Sequence, residues 1–524
     1  MAAPPSLYLF EPEIEGLRVT INGVTLPGSP GAYITRILWD WGDGHLEESW
    51  FAASHVYARP GIYTVVVTSF QSDGLSTTKT TFAILSNGQP PSPPYYLFPP
   101  NLILCPHATS DFSIKIIDSN YNIIRGNVVF YGFDNTLITV TSDYRVTALR
   151  PETKGAAGTG IWARVNGEDV SNHLVVRVVS SCHSVPFAWV AGENVAWFYP
   201  MRIDGEPLDQ YFGEYDLLRA TDYGYNIQLA LTGCRPFGGS RQIFAVEIQE
   251  EGNTICGLGA INPIRLGWTT GIKLSCFFCL PVPSGCPQWG VTPHWGVFFH
   301  ELGHSFSYAS QFFLDTLAPN VIYSEAIATA LWFETGERIL ISGMDFSDKA
   351  INSIERVLSH GIHLMEKDFE LWVQAGAPFE QLSANIVDGM WLHYKRQGPR
   401  DFGERFFRPF QPQYYNQLKG LLSQMSVGDE HTIFAALLSA ALGRDLYIDF
   451  VRTYNYPINW TLYSAAYQAF LSIMGPIQSC TYSVSPTSWS APACGGQTTI
   501  TITAGSGCPW TVQSNAGWLT VSPT

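Results

Sequence analysis

The stretch Val297-Phe-Phe-His-Glu-Leu-Gly-His-Ser-Phe306 places the tightest constraint on the chain. Residues four apart share one face of a helix, so an apolar run with His300 and His304 predicts a helix offering two imidazoles to one metal ion. Glu301 stands beside them, placed to handle the proton of an activated water. The bland competing reading is a buried helix with two satisfied histidines. Gly303 costs a helix up to ~1 kcal/mol, which predicts close approach of another backbone at that turn.

The 524 residues are too many for a single core, so roughly two to four domains are expected. Hydrophobic residues make up 46% and charged residues only 14%, a globular balance. A formal net charge of −15, without any Lys/Arg cluster, argues against nucleic-acid and anionic-membrane partners, because nothing would neutralise phosphates. No run of about twenty apolar residues exists, so no membrane span is expected. Met1-Ala-Ala-Pro-Pro lacks the charged start and apolar core of a signal peptide. The expectation is a mature extracellular or cell-surface protein whose leader is not part of this sequence.

There are ten cysteines. Cys105 and Cys182 bracket one β-like segment and Cys480 and Cys508 another, a placement that favours disulfides and an oxidising compartment. Cys276, Cys279 and Cys286 admit two readings, disulfides or a zinc knuckle; the lack of a second ligand pair favours disulfides. Spacing does not assign partners to these three or to Cys234, Cys256 and Cys494.

Residues 1–86 alternate apolar and polar in short runs broken by Gly and Pro, as in a β-sandwich. Arg36-Ile-Leu-Trp-Asp-Trp-Gly-Asp-Gly44 reads as a strand entering an acidic turn, and His55-Val-Tyr-Ala-Arg-Pro-Gly-Ile-Tyr-Thr-Val-Val-Val67 as a turn and strand. Together they resemble the polycystic-kidney-disease (PKD) domain, which implies a spacer or adhesion module of extracellular enzymes. Asp40 and Asp43 are candidate calcium ligands, with turn capping favoured for both. Residues 87–99 read as a proline-rich linker. Residues 100–184 return to alternating strands and look like a second, immunoglobulin-like (Ig-like) sandwich of structural role, stapled Cys105–Cys182. The β-modules are candidates for carbohydrate binding.

From 185 the texture changes: strands and loops to about 290, then longer helical periods at Ser324–Ile339, Phe346–Trp372, Gln381–Lys395 and Glu430–Leu442. One α+β domain over 185–478 follows, with a β half first. Ile255–Leu266 reads as a short strand whose glycines admit another backbone; a substrate strand pairs along it in this reading. Residues 479–524 resemble part of a BACON domain, a β-sandwich attached to secreted carbohydrate-active enzymes.

Two histidines need a third ligand and an open fourth position. A metzincin completion fails, because Ser307 and Ser310 stand where its Gly and His belong. Asp315 lacks an aspzincin context. Glu325, 21 positions after His304, opens a second helix with small residues, as a gluzincin requires; Glu334 and Glu337 are rivals further along. A solvated carboxylate at a helix start is the plain alternative for Glu325.

His300-Glu-Leu-Gly-His304, Glu325, the segment Leu437–Ile458 and Asp401-Phe-Gly-Glu-Arg-Phe-Phe-Arg408 together resemble the gluzincin clan and, within it, the enhancin-like, mucin-degrading peptidases. The resemblance covers about 290 residues. It implies a zincin-type metallopeptidase domain with a helical C-terminal half, flanked by the PKD-like and Ig-like modules. One Zn²⁺ per chain would sit on His300, His304 and Glu325, with Glu301 as the general base and a protein or glycoprotein as substrate. Oxyanion-stabilising candidates are Tyr308, Tyr323, His360, His363, His393 and Tyr394, unranked. A rival reading is a glycan-binding adhesion protein with a degenerate zincin domain.

Overall fold

The computed structural model describes residues 2–153, 156–180, 185–249, 257–269, 274–275, 278–279, 292–310, 312, 321–423, 425–426, 428–476, 482–490, 496–504, 514 and 519. The expected architecture is present in its coarse form, with β-modules first and a helical C-terminal half. In the first module an antiparallel sheet runs Leu46–Glu48, Ile34–Asp40, Gly61–Gln71, Ser76–Leu85. A second sheet of Glu13–Glu15, Arg18–Ile21 and Ala53–Val56 covers it. Strand alternation sends Trp39 and Trp41 to the same face, where they stack 5.2 Å apart in the core. Tyr57 Oη donates to the Trp41 carbonyl at 2.8 Å, so the turn is tied to the core. Asp40 accepts from the Gly42 N–H, and Asp43 from the His45 N–H and the His55 ring, so both acids cap the turn.

In the second module Asn101–Leu104 pairs in parallel with Leu174–Val178, and Thr159–Val165 bridges antiparallel to Val128–Tyr131. The expected linker 87–99 is corrected at its end. Tyr95–Phe98 is a strand paired with Lys115–Asp118, its last three residues buried. Pro90, Pro91 and Pro93 stay exposed, but Tyr96 and Phe98 after them find a core. Cys105 is disulfide-bonded; its expected partner Cys182 lies outside the described residues, as do Cys480, Cys508 and Cys494. Most of the BACON-like segment also lies outside them; a hairpin of Tyr482–Ser485 with Thr501–Ala504 is described.

The mixed region that follows has a sheet of β1 (Phe187–Ala191), β2 (Val195–Pro200), β3 (Gln242–Gln249), β4 (Gly257–Leu258), β5 (Ile264–Thr269) and β6 (Leu274–Ser275). Its order is β1-β2-β3-β5-β4, with β6 also on β5. The single strand expected over 255–266 is therefore two short antiparallel strands. Gly259 and Asn262-Pro263 break the run between them. β5 is interior, which leaves the edge among these residues to β4.

Alternation along the sheet gives it two apolar faces. Trp197, Phe244, Val246 and Leu266 turn toward the helices. Phe198, Ile243 and Trp189 turn to the β-modules and share a core with Ile62 and Phe82 of the first and Tyr96 and Phe98 of the second. Buried charge joins the same seam. Arg177 of the second module pairs with Glu152 of its own module and lies 3.9 Å from Glu247 on β3. Arg265 on β5 pairs with Glu247 at 2.5 Å.

The expected β half contains a helix that periodicity missed, α1 (Leu217–Thr232). Thr221, Tyr223, Gly224, Tyr225 and Ile227 are poor helix formers, and burial between the sheet and the other helices holds it. Then come α2 (Trp295–Ala309), α3 (Val321–Ile341), α4 (Asp348–Gln374), α5 (Ala384–Gln397), α6 (Phe402–Phe407), α7 (Glu430–Leu442) and α8 (Trp460–Met474). Buried Arg405 on α6 donates to the carbonyls of Ala440, Ala441, Met474 and Gly475, satisfying the orphan C-terminal groups of α7 and α8 at once. No described helix is long and apolar enough to cross a membrane.

Candidate metal centre

The helix expected at 297–306 is α2. Its first turn is capped by His294, whose Nδ1 accepts from the Val297 N–H at 3.4 Å. Phe298, Phe299, Leu302 and Phe306 are fully buried, which orients the remaining face with His300 and His304 toward α3. α1 fixes the helix from behind: Gln228 Nε2 donates to the Phe299 carbonyl at 2.9 Å and to Thr335 on α3 at 3.2 Å. The close approach expected at Gly303 is present, since a Cβ there would stand 2.8 Å from the Ala328 carbonyl oxygen of α3.

That contact brings Glu325, in the first turns of α3, onto both histidines. His300 Nε2 is 3.0 Å from Glu325 Oε2 and 3.1 Å from His304 Nε2, and His304 Nε2 is 3.4 Å from Glu325 Oε1. Ligand atoms about 2.0–2.2 Å from a shared ion in a tetrahedron stand about 3.3–3.6 Å apart, so these spacings fit a zinc ion with little adjustment. Two imidazoles and one carboxylate are also the donor set that zinc accepts with an open fourth position. His300, His304 and Glu325 are the one metal-capable group found among the described residues. Hydrogen bonds from His300 and then His304 hold the Glu325 carboxyl far below the ordinary carboxylate range. The rivals Glu334 and Glu337 are paired with Lys395 at 2.6 and 2.5 Å. Asp315 lies outside the described residues.

Glu301 lies on the same helix against the edge strand. A Cβ on Gly257 would sit 2.2 Å from its Oε1, and one on Gly259 2.2 Å from its backbone oxygen. The glycines of 255–266 thus admit this helix and its carboxylate. Burial pushes the Glu301 carboxyl up, while nearby His300 and His304 and the Gly259 N–H pull it down.

The six oxyanion candidates separate. Tyr308 is exposed, with its ring 6.3 Å from that of His304 and its Oη accepting from Ser324 Oγ at 3.4 Å. Tyr323 is buried against Phe434, and burial raises its phenol. Tyr394 is buried and donates to Tyr454 at 3.3 Å. Both are core residues, and the expectation is corrected for them: each aromatic body is worth more in the core than at a wet site. His393 packs on Phe369 and bonds Gln397. His360 and His363 lie on α4, where Gly361 faces the Trp332 ring. Sequence reading missed Thr329, whose Oγ1 is 3.1 Å from His300 Nδ1, and Asp388 behind it. Thr329 was findable, one helical turn after Glu325 on the same face.

A family model of the PKD domain matches residues 15–85. No curated protein matches the chain. Among solved structures, the PKD1 domain of Vibrio anguillarum Epp is 25% identical, covering 16% of this chain and 96% of that one, with a TM-score of 0.15. The PKD1 domain from the Vibrio cholerae metalloprotease PrtV is also 25% identical, covering 16% and 98%, with a TM-score of 0.15. A structure of carbohydrate-binding modules from the β-sandwich superfamily is 13% identical, covering 31% and 55%, with a TM-score of 0.16. The family match and the two-sheet fold around Trp39 and Trp41 together give the chain an N-terminal PKD domain.

Proposed function

We propose that the chain is a secreted zinc-dependent endopeptidase. The observation that carries this reading is the convergence of His300, His304 and Glu325, all ligand atoms within 4.8 Å of one another, with Glu301 alongside. A zinc ion held by these three would polarise a carbonyl and lower the pKa of a water toward ~7. Glu301 takes the water's proton at its carboxylate and hands it to the departing amine nitrogen. Its raised affinity for a proton suits the first half of that task. An extended substrate pairs with the edge strand β4, which runs beside Glu301. Tyr308 is the exposed donor beside the ligands for a developing oxyanion. Mucin-type extracellular glycoproteins are the substrate class implied by the resemblance to enhancin-like peptidases.

The test is a metal assay joined to a digest of a mucin-type glycoprotein, with and without chelator. About one zinc per chain and chelator-sensitive cleavage are expected. Zinc without cleavage of folded, unfolded or glycosylated protein would favour an adhesion role. A second check targets the support of Glu301. Gly257→Ala drives a methyl into its carboxylate, so cleavage should fall roughly 10²-fold, the cost of about 1 Å of misplacement, while zinc content is unchanged. An unchanged cleavage rate would remove β4 from the site.

A further inference from the structure

On the strands Val128–Tyr131 and Thr159–Val165 of the second module, alternation sends Ile161, Ala163 and Val165 into the core and Tyr131, Trp162 and Arg164 outward. Tyr131 and Trp162 are cross-strand partners, so their rings stand side by side. Each residue is 38% exposed. The indole is also held in place. It stacks on buried His173 with centroids 4.6 Å apart, and a Cβ on Gly132 or Gly160 would come within 2.7 or 2.6 Å of its six-membered ring. Those two glycines clear the space it occupies. His173 covers one face of the indole, and the exposure belongs to the other face and the rim.

Beside the rings lies a hydrogen-bonding group of fixed geometry. Arg164 donates twice to Asp169, Nε to Oδ1 at 2.8 Å and Nη2 to Oδ2 at 3.2 Å. Tyr131 Oη donates to the same Oδ1 at 3.0 Å. The two charges cancel, and the remaining guanidinium N–H groups and carboxylate lone pairs look to solvent. This surface suits a neutral sugar. A pyranose offers an apolar C–H face to an aromatic ring, and its neighbouring hydroxyls can bond a guanidinium and a carboxylate together. A protein partner would need a broad apolar core, yet Val129 is the only other exposed apolar residue on these two strands. A phosphate or sulfate would need net positive charge, which the pair lacks.

The platform is tied to the metal centre by one loop. The His173 N–H donates to the Asn262 carbonyl at 3.0 Å, and Asn262 lies between β4 and β5. Gly259 in the same loop packs on the backbone oxygen of Glu301. Three residues separate these two contacts, at most ~11 Å of chain. Arg265 on β5 also donates to the Ala157 carbonyl at 2.5 Å, which fixes the module against the sheet. We propose that Tyr131, Trp162 and the Arg164–Asp169 pair form a binding site for a neutral sugar on the substrate's glycan, and so hold a glycoprotein beside β4. Its part in presenting substrate rests on the zinc reading above; the sugar binding does not.

The test is the affinity of the full chain for a mucin-type glycoprotein freed of sialic acid, measured with Glu301→Gln in place so that nothing is cleaved. The same glycoprotein stripped of all its O-glycans is the second probe, and should bind about tenfold more weakly or not at all. Trp162→Ala should weaken binding of the glycosylated probe about tenfold, and Trp162→Phe, which keeps a ring, should stay within about threefold. Tyr131→Ala, on the neighbouring strand, should also weaken it about tenfold, and gives an independent measurement if the Trp162→Ala chain does not fold. Equal binding of the two probes, or alanine variants that both bind as the unaltered surface does, would overturn the proposal and leave the zinc reading intact. Glycan-dependent binding lost in the alanine variants, by a chain that holds no zinc, would support the sugar site and remove the peptidase reading.

Discussion

Glu301→Gln is expected to keep the fold and one zinc per chain and to lose cleavage by about 10²–10⁴-fold, the range of general acid–base catalysis. The amide has nearly the shape of the carboxylate, so it still fits against Gly257 and Gly259. It cannot accept the water's proton. His300, His304 and Glu325 are untouched, and their 3.0–3.4 Å separations hold the metal as before. Removing the Glu301 charge takes away one negative neighbour of the ligands but no donor atom, so zinc affinity should fall only slightly. A variant that cleaves as fast as the unaltered chain, with zinc bound, would sink the mechanism.

The second large effect is on stability. Arg177→Met should destabilise the chain by about 3–5 kcal/mol, the usual result of deleting one partner of a buried pair. Arg177 is 1% exposed, Glu152 9% and Glu247 0%, so water cannot replace the lost cation. Glu152 then loses the Arg177 cation, and Glu247 keeps Arg265. Denaturant unfolding followed by tryptophan fluorescence measures the loss. Arg177→Met combined with Glu152→Met should recover much of it, because the cost lies in a buried carboxylate that has lost its Arg177 partner rather than in a missing attraction. A single variant within about 1 kcal/mol of the unaltered chain would show that the seam is held by its apolar contacts.

Local rules made some parts legible and left others hidden. Glu430–Leu442 was read with its observed bounds, because Gly443 after it takes a left-handed conformation, φ 73°, that stops a helix. The PKD turn was legible because Trp39, Trp41 and the capping acids act within a few residues of one another. Helix α1 was hidden because its tyrosines, Thr221 and Gly224 carry little helical preference; its burial between the sheet and the other helices, with Gly224 against Phe299 and Thr335, holds it. Glu325 was legible through chain distance and the small residues after it. Asp388 was not, because its 63-residue separation from Glu325 is closed by the packing of α5 on α3, and no local pattern encodes that. Tyr323 and Tyr394 were misread for the same reason: a tyrosine in sequence does not say which end of its ring is wet.

Gly303 has a consequence for how such a centre changes over evolutionary time. It touches no donor atom, yet the backbone contact it permits with Ala328 sets the spacing between the helix bearing two ligands and the helix bearing the third. It works as a caliper, and the jaw opening decides what diameter of ion the site can grip. Any larger residue there would widen the gap without altering a single ligand. Drift at this glycine could silence the centre while every coordinating residue still reads as intact.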